Sequence, residues 1–174
     1  VSTTTGSSTG TGAGSSGGLV GALSPHVPEA WNDKKAFQLE SLLMAASWWE
    51  GVEATSGLPS GYARLGRLQP LPDLNAVEVA RQRAENARQL WEGQADWRVV
   101  PATGAAWEPA SLSGWLVEDT LSARVSPRMA LATLVAAIAA KGGEVVTGAA
   151  SEVGPVIHAT GIAGLVALSE SLGR

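Results

Sequence analysis

The chain contains no cysteine, which excludes disulfides, thiolate catalysis and sulfur-ligated metals together. Histidine is nearly as scarce. His26 and His158 are the only two, no His/Asp/Glu cluster has ligand spacing, and no metal site is expected. Long apolar runs are missing too: the longest, Met129 to Ala140, makes about three helical turns. That suits a buried helix and falls short of a membrane span. The 12 basic and 16 acidic residues give a net charge of −4, with no Lys/Arg cluster, so no nucleic-acid-binding face is expected. With 45% apolar residues over 174 positions the chain is too apolar for disorder and reads as one globular domain, or one and a fraction.

What is present is uneven. Seven of the nine aromatics are Trp, and the first eighteen residues are only Val, Ser, Thr, Gly and Ala. This start has no initiator Met, no basic n-region and no apolar h-region, so it is not expected to act as a signal peptide. Gly, Ser and Thr bury too little apolar area to offset their own ordering entropy. The segment is expected to be a flexible leader or a ligand-wrapping loop, or the chain has lost what preceded it.

Leu19 to Leu23 is a short extended run closed by Ser24-Pro25. From Asn32 or Asp33 to about Ala54 the apolar residues recur at helical spacing until Gly57 and Pro59. Tyr62 to Leu71 reads as a strand with a bulge, or a tight hairpin, about a central glycine. A second helix is expected to begin with a capping box of Asn75 and Glu78 and to end at Gly93. It buries Val77, Ala80, Ala84, Ala87 and Trp91, and pairs Arg81 with Glu85 and Arg88 with Glu92 outside. Trp97 to Val100 and Gly114 to Val117 are strand candidates, giving antiparallel sheet over a helix pair. Ser126 then caps an apolar helix with Pro127 at its first position, ended by Gly142-Gly143. Strands at Glu144–Thr147 and Val153–Ala159 and a helix from Ile162 to Leu172 follow, the pattern of a doubly wound α/β sheet.

Gly12-Ala13-Gly14-Ser15-Ser16-Gly17 matches the dinucleotide fingerprint by letter, but lacks the preceding buried strand, the following helix and the distal acid. Gly14 to Gly18 likewise spells a nucleophile elbow around Ser16 without the apolar strand that leads into one. Physically, the glycine run can present a row of backbone N–H groups to phosphate oxygens, or be an unstructured leader, and the residues alone favour neither. His158 lies in an apolar run and reads as half-buried and structural, while His26 follows a proline beside the glycine run and is a candidate ligand contact. Arg64, Arg67 and Arg124 are the cations nearest the expected strands, and any could clamp a carboxylate. Of the adjacent Trp48 and Trp49, about 100° apart on a helix, at least one should be core.

In combination these segments resemble the FAD-dependent D-amino-acid oxidase/glycine oxidase family. Gly12 to Pro25 is similar to the flavin-wrapping loop after that family's second Rossmann strand. Leu121 to Val146 is similar to its helix and adenine-side strand, and Val156-Ile157-His158-Ala159-Thr160-Gly161 to its apolar strand ending in Ala-Thr-Gly. The resemblance implies a mixed α/β fold: part of a Rossmann-like FAD-binding domain with an inserted substrate domain of helices and antiparallel strands. It places a cofactor loop at 1–31, a substrate-type domain at 32–120 and a return to the FAD-binding domain at 121–174. It further implies a cytoplasmic oxidoreductase acting on a small-molecule amine or amino acid. FAD would meet Gly12, Gly14, Ser15, Ser16, Gly17, Gly18, Leu19 and Gly21, with Ala159, Thr160 and Gly161 at a second approach. His26 and Arg64 are the expected substrate contacts, and no residue stands out as a general base. Nothing upstream of Gly12 resembles the family's opening strand, glycine turn and helix, so the chain reads as the interior of such an enzyme. Flavin binding by this stretch alone should then be impaired, and apolar surface should lie exposed where a sheet would continue. A non-catalytic α/β fragment or interaction module is the alternative.

Overall fold

The computed structural model describes residues 15–146, 154–157, 159 and 161–173. A 3-10 turn, Ser15–Gly17, leads into strand β1, Gly21–Leu23. Helix α1, Asp33–Ser56, starts where the Asn32 side chain accepts the Lys35 N–H, and ends at Gly57, whose φ of 71° gives the left-handed cap that glycine adopts without strain. Strands β2, Ala63–Arg64, and β3, Arg67–Pro70, are separated by Leu65-Gly66. Helix α2, Leu74–Leu90, precedes β4, Trp97–Pro101; β5, Trp115–Asp119, and β6, Ala123–Val125, then lead into helix α3, Pro127–Ala140. Helix α4 is Gly161–Ser171.

Among the described residues the strands form two three-stranded antiparallel sheets, ordered β1-β6-β2 and β3-β5-β4. Residues 63–70 therefore form neither a bulged strand nor a hairpin: they leave one sheet and enter the other, and residues 115–125 do the same alongside. At this crossing Gly66 donates its N–H to Ser122 O at 2.8 Å, and Arg64 Nε donates to Thr120 O at 2.8 Å. Gly66 has a φ of +75°, and a Cβ there would lie 2.5 Å from the Asp119 carbonyl oxygen. Asp119 itself is 0% exposed. Its carboxylate accepts the N–H groups of Leu121 and Ser122, the Ser122 hydroxyl, and Arg67 Nε at 3.1 Å.

The core sits between α2 and the second sheet. The stripe expected from sequence, Val77, Ala80, Ala84, Ala87 and Trp91, is buried against Trp97, Val117 and Leu121, joined by Leu42 of α1. Trp91 and Trp97 meet edge to face, ring centroids 6.2 Å apart. Both indole N–H groups are buried without an acceptor, a cost the ring contact offsets in part. Outside the stripe, Arg81 lies over the Trp115 ring at 5.1 Å.

Several local expectations change. The α2 N-cap is Asp73, which accepts the Ala76 N–H at 2.8 Å, rather than Asn75: an acid two residues earlier reaches the free N–H groups of the first turn. The surface pairs on α2 are one residue closer, Arg81 with Glu78 and Arg88 with Glu85, both i,i+3. Ser126 occupies the α3 cap position without a side-chain capping bond. Trp48 is exposed and stacks edge-on with half-buried Trp49. The strands expected after α3 do not form at 144–146, 154–157 or 159, where no described strand runs alongside to share hydrogen bonds; residues 147 and 153, with His158, lie outside the described set. Val145, Val146, Val156 and Ile157 are exposed.

Replacing Asp119 with Ala leaves the Leu121 and Ser122 N–H groups and the Ser122 hydroxyl without their buried acceptor, and the half-exposed Arg67 guanidinium without its partner. The substitution is expected to lower the unfolding free energy by about 3–5 kcal/mol, against less than about 0.5 kcal/mol for Glu85→Ala on the exposed face of α2. Urea denaturation of the two variants checks this.

Candidate functional site

The glycine-rich start is described from Ser15 onward; Gly12 and Gly14 lie outside the described residues, as does Thr160. Ser16, Gly18 and Leu19 are exposed on and beside the 3-10 turn, which lies against α3. One bond fixes it there: Arg128 Nε donates to Gly17 O at 2.8 Å. Gly17 and Arg128 border a groove of about 640 Å³ whose floor is Leu131, Val135 and small residues of α3. A guanidinium and glycine backbone at one end of an apolar groove form a donor set suited to a ligand with an anionic part and a flat apolar part.

Gly21 is required by packing, since a Cβ there would lie 2.9 Å from Val125 Cγ1 across the β1–β6 pair. Neither letter motif acquires its context. The turn containing Ser16 runs on into β1, and the next helix begins only at Asp33, so there is neither a nucleophile elbow nor a first Rossmann helix. Ala159 is exposed, and Gly161 opens α4.

The two expected substrate contacts are positioned differently. His26 is half-buried, and its backbone N–H donates to Gln38 Oε1 at 2.8 Å. Arg64 is held at the sheet crossing, with Nε on Thr120 O and Nη2 on Gln94 O at 2.9 Å. It borders a cleft of about 670 Å³ and a smaller one of about 310 Å³, neither of which His26 lines. The larger cleft also exposes Leu65, Arg67 and Trp107. Of the other arginines singled out from sequence, Arg67 is paired to Asp119, and Arg124 reaches Gly61 O only at 3.5 Å.

Sequence reasoning missed Arg128, Trp107 and Asp119. For Arg128 a signal existed: a cation in the first turn of a helix opposes the macrodipole and needs a partner elsewhere, here Gly17. Trp107 gave none, lying in an aperiodic loop. That loop is nonetheless braced, because Glu108 accepts the N–H groups of Thr103 at 2.7 Å and Gly104 at 2.8 Å.

Three carboxylates of the chain are held below their ordinary value. Glu29 is held down chiefly by its hydrogen bonds with Arg83, against a smaller opposing effect of burial. Glu53 is lowered by the Ser60 hydroxyl and then by the Ser60 N–H. At Glu108 burial pushes upward most strongly of any single cause, and the N–H groups of Gly104, Thr103 and Ala105 with the Thr103 hydroxyl together outweigh it.

The chain matches the family described as FAD dependent oxidoreductase, DAO, over residues 7–169. Its fold is similar to glycine oxidase from Geobacillus kaustophilus, at a TM-score of 0.52 and 17% identity over 69% of this chain and 33% of that one. It is also similar to L-amino acid deaminase from Proteus myxofaciens, at 0.52 and 15% identity, covering 70% of this chain and 26% of that one. The chain thus spans about a third or less of these proteins. No curated protein sequence is a significant match.

Because the three glutamates are depressed in the folded state, their stabilisation is complete above the ordinary carboxylate pKa of 4.5 and is lost as pH falls through the lower folded values. Urea midpoints are expected to be level from neutrality down to about pH 5 and to fall progressively below pH 4.5, with Glu53→Gln showing a smaller drop than the unaltered chain.

Proposed function

The chain belongs to the DAO family of FAD-dependent oxidoreductases, and from that membership we propose that it forms part of an enzyme oxidising the C–N bond of an amine or amino acid. FAD supplies, when bound, the two-electron oxidant for this chemistry. The substrate loses a hydride from carbon and a proton from nitrogen, leaving an imine that water hydrolyses. The observation that carries the reading is the family match over 7–169, read together with the glycine turn pinned by Arg128 beside an apolar groove.

In this reading residues 1–31 form the cofactor loop, 32–120 the substrate-type part and 121–174 the return to the cofactor-binding part. The backbone N–H groups of Gly12, Gly14, Ser15, Ser16, Gly17 and Gly18 bind phosphate oxygens, with Leu19 and Gly21 continuing the loop and Ala159, Thr160 and Gly161 making a second approach. Arg128 is a positioning residue: by holding the Gly17 carbonyl it orients the turn. Arg64 is the proposed contact for a substrate carboxylate, supported by the fact that no carboxylate pairs with it among the described residues; His26 is the second proposed contact. A cytoplasmic setting is part of the same proposal.

Purified chain titrated with excess FAD is expected to take up the flavin, more weakly than would survive desalting, read as a change in flavin absorbance near about 450 nm. A chain that takes up no FAD would contradict the proposal and leave the non-catalytic α/β module as the reading. Arg128→Ala is expected to weaken FAD binding about tenfold, the loss of one charge-assisted hydrogen bond, at unchanged thermal stability.

A further inference from the structure

Helix α1 is apolar on two sides, and only one of them is used within the chain. On the inner side Leu42 is buried, Leu39 and Leu43 pack beside it, and the helix lies against α3. On the outer side Phe37 is 73% exposed, Met44 55% and Trp48 44%. Phe37, Ser41, Met44, Trp48, Gly51 and Thr55 follow one another at alternating intervals of four and three residues, the repeat that keeps one seam of a helix facing a partner helix. The hydroxyls of this seam are already satisfied inside the helix: Ser41 donates to Phe37 O and Thr55 to Gly51 O, each at 2.8 Å. The seam can therefore be dried without stranding a donor. Trp48 is also held edge-on by Trp49, ring centroids 4.8 Å apart, so covering it costs little further side-chain entropy.

The seam is complementary to itself when two copies run antiparallel. Setting Ser41 opposite Met44 of a second copy puts Phe37 opposite Trp48 on both sides of the two-fold axis, and Lys34 opposite Gly51. A Cβ at Gly51 would meet nothing within 4 Å, which leaves the Lys34 ammonium room to reach Glu50 beside it. Lys34 and Glu50 are both exposed, and neither makes an ion pair among the described residues. Antiparallel packing joins these opposite charges at both ends and opposes the two helix dipoles. Parallel packing would instead set Lys34 against Lys34 and Glu50 against Glu50.

We propose that the outer face of α1 is a self-association surface, on which a second copy of this chain lays its own α1 antiparallel about a two-fold axis between Ser41 and Met44. The inference does not depend on the flavin assignment. A contact along one helix seam falls at the small end of interface sizes, so a Kd of about 10–100 μM is expected.

Sedimentation velocity of the full chain from about 2 to 300 μM, spanning that Kd, tests it. A reversible monomer–dimer equilibrium is expected. Met44→Glu and Phe37→Gln, both at exposed positions, each weaken the dimer at least about tenfold and leave the urea midpoint at low protein concentration unchanged. Phe37→Gln keeps the test decisive if Met44→Glu unfolds. Lys34→Glu weakens association about fivefold, and adding Glu50→Lys to it restores the original affinity, because the pair is re-formed with its signs exchanged. A chain that stays monomeric throughout, association that continues past two copies, a dimer indifferent to Phe37→Gln, or failure of Glu50→Lys to restore the Lys34→Glu variant overturns the inference.

Discussion

The constraint on which the rest of the molecule depends is the buried carboxylate of Asp119. Two chain segments pass side by side from one antiparallel sheet to the other, and at such a crossing the regular ladder bonds stop. Asp119 supplies the missing acceptors for Leu121, Ser122 and Arg67, while Gly66, opposite, permits the backbone approach that a side chain would block. A buried charge with this many partners is stable only when all are present, so the junction behaves as a unit.

That junction sets the functional geometry. On one side it carries β6 directly into the Ser126-Pro127 start of α3, which places Arg128 against the glycine turn. On the other it holds Arg64 and Arg67 at fixed positions on the rim of a cleft. The α2 core below, with its paired tryptophans, keeps β4 and β5 in register and so anchors the strand from which Asp119 projects.

Much of this was legible in the residues. Helix spacing and caps located α1, α2 and α3 within a few positions, because an apolar stripe and a glycine or proline boundary are local signals. The ordered motifs at Gly12–Pro25, Leu121–Val146 and Val156–Gly161 pointed to the family that the match over 7–169 establishes. Strand pairing was less legible. Residues 63–70 carry the same alternation whether they form one bulged strand or cross between sheets, and only the partner, over fifty residues away, decides. The strands expected at 144–147 and 153–159 have strand-like composition, but where residues there are described no described strand pairs with them. Asp119 sits in sequence as an ordinary acid at a strand end, and its burial follows from tertiary contacts alone.

The central claim is that the glycine turn, oriented by Arg128, recognises the phosphates of FAD. The most direct measurement compares the dissociation constants of FAD and riboflavin from quenching of flavin fluorescence on the same chain. The account predicts FAD tighter by at least about tenfold, since riboflavin has no phosphate for the turn to hold. Equal affinities would contradict it, by showing that the glycine turn makes no contribution to cofactor binding.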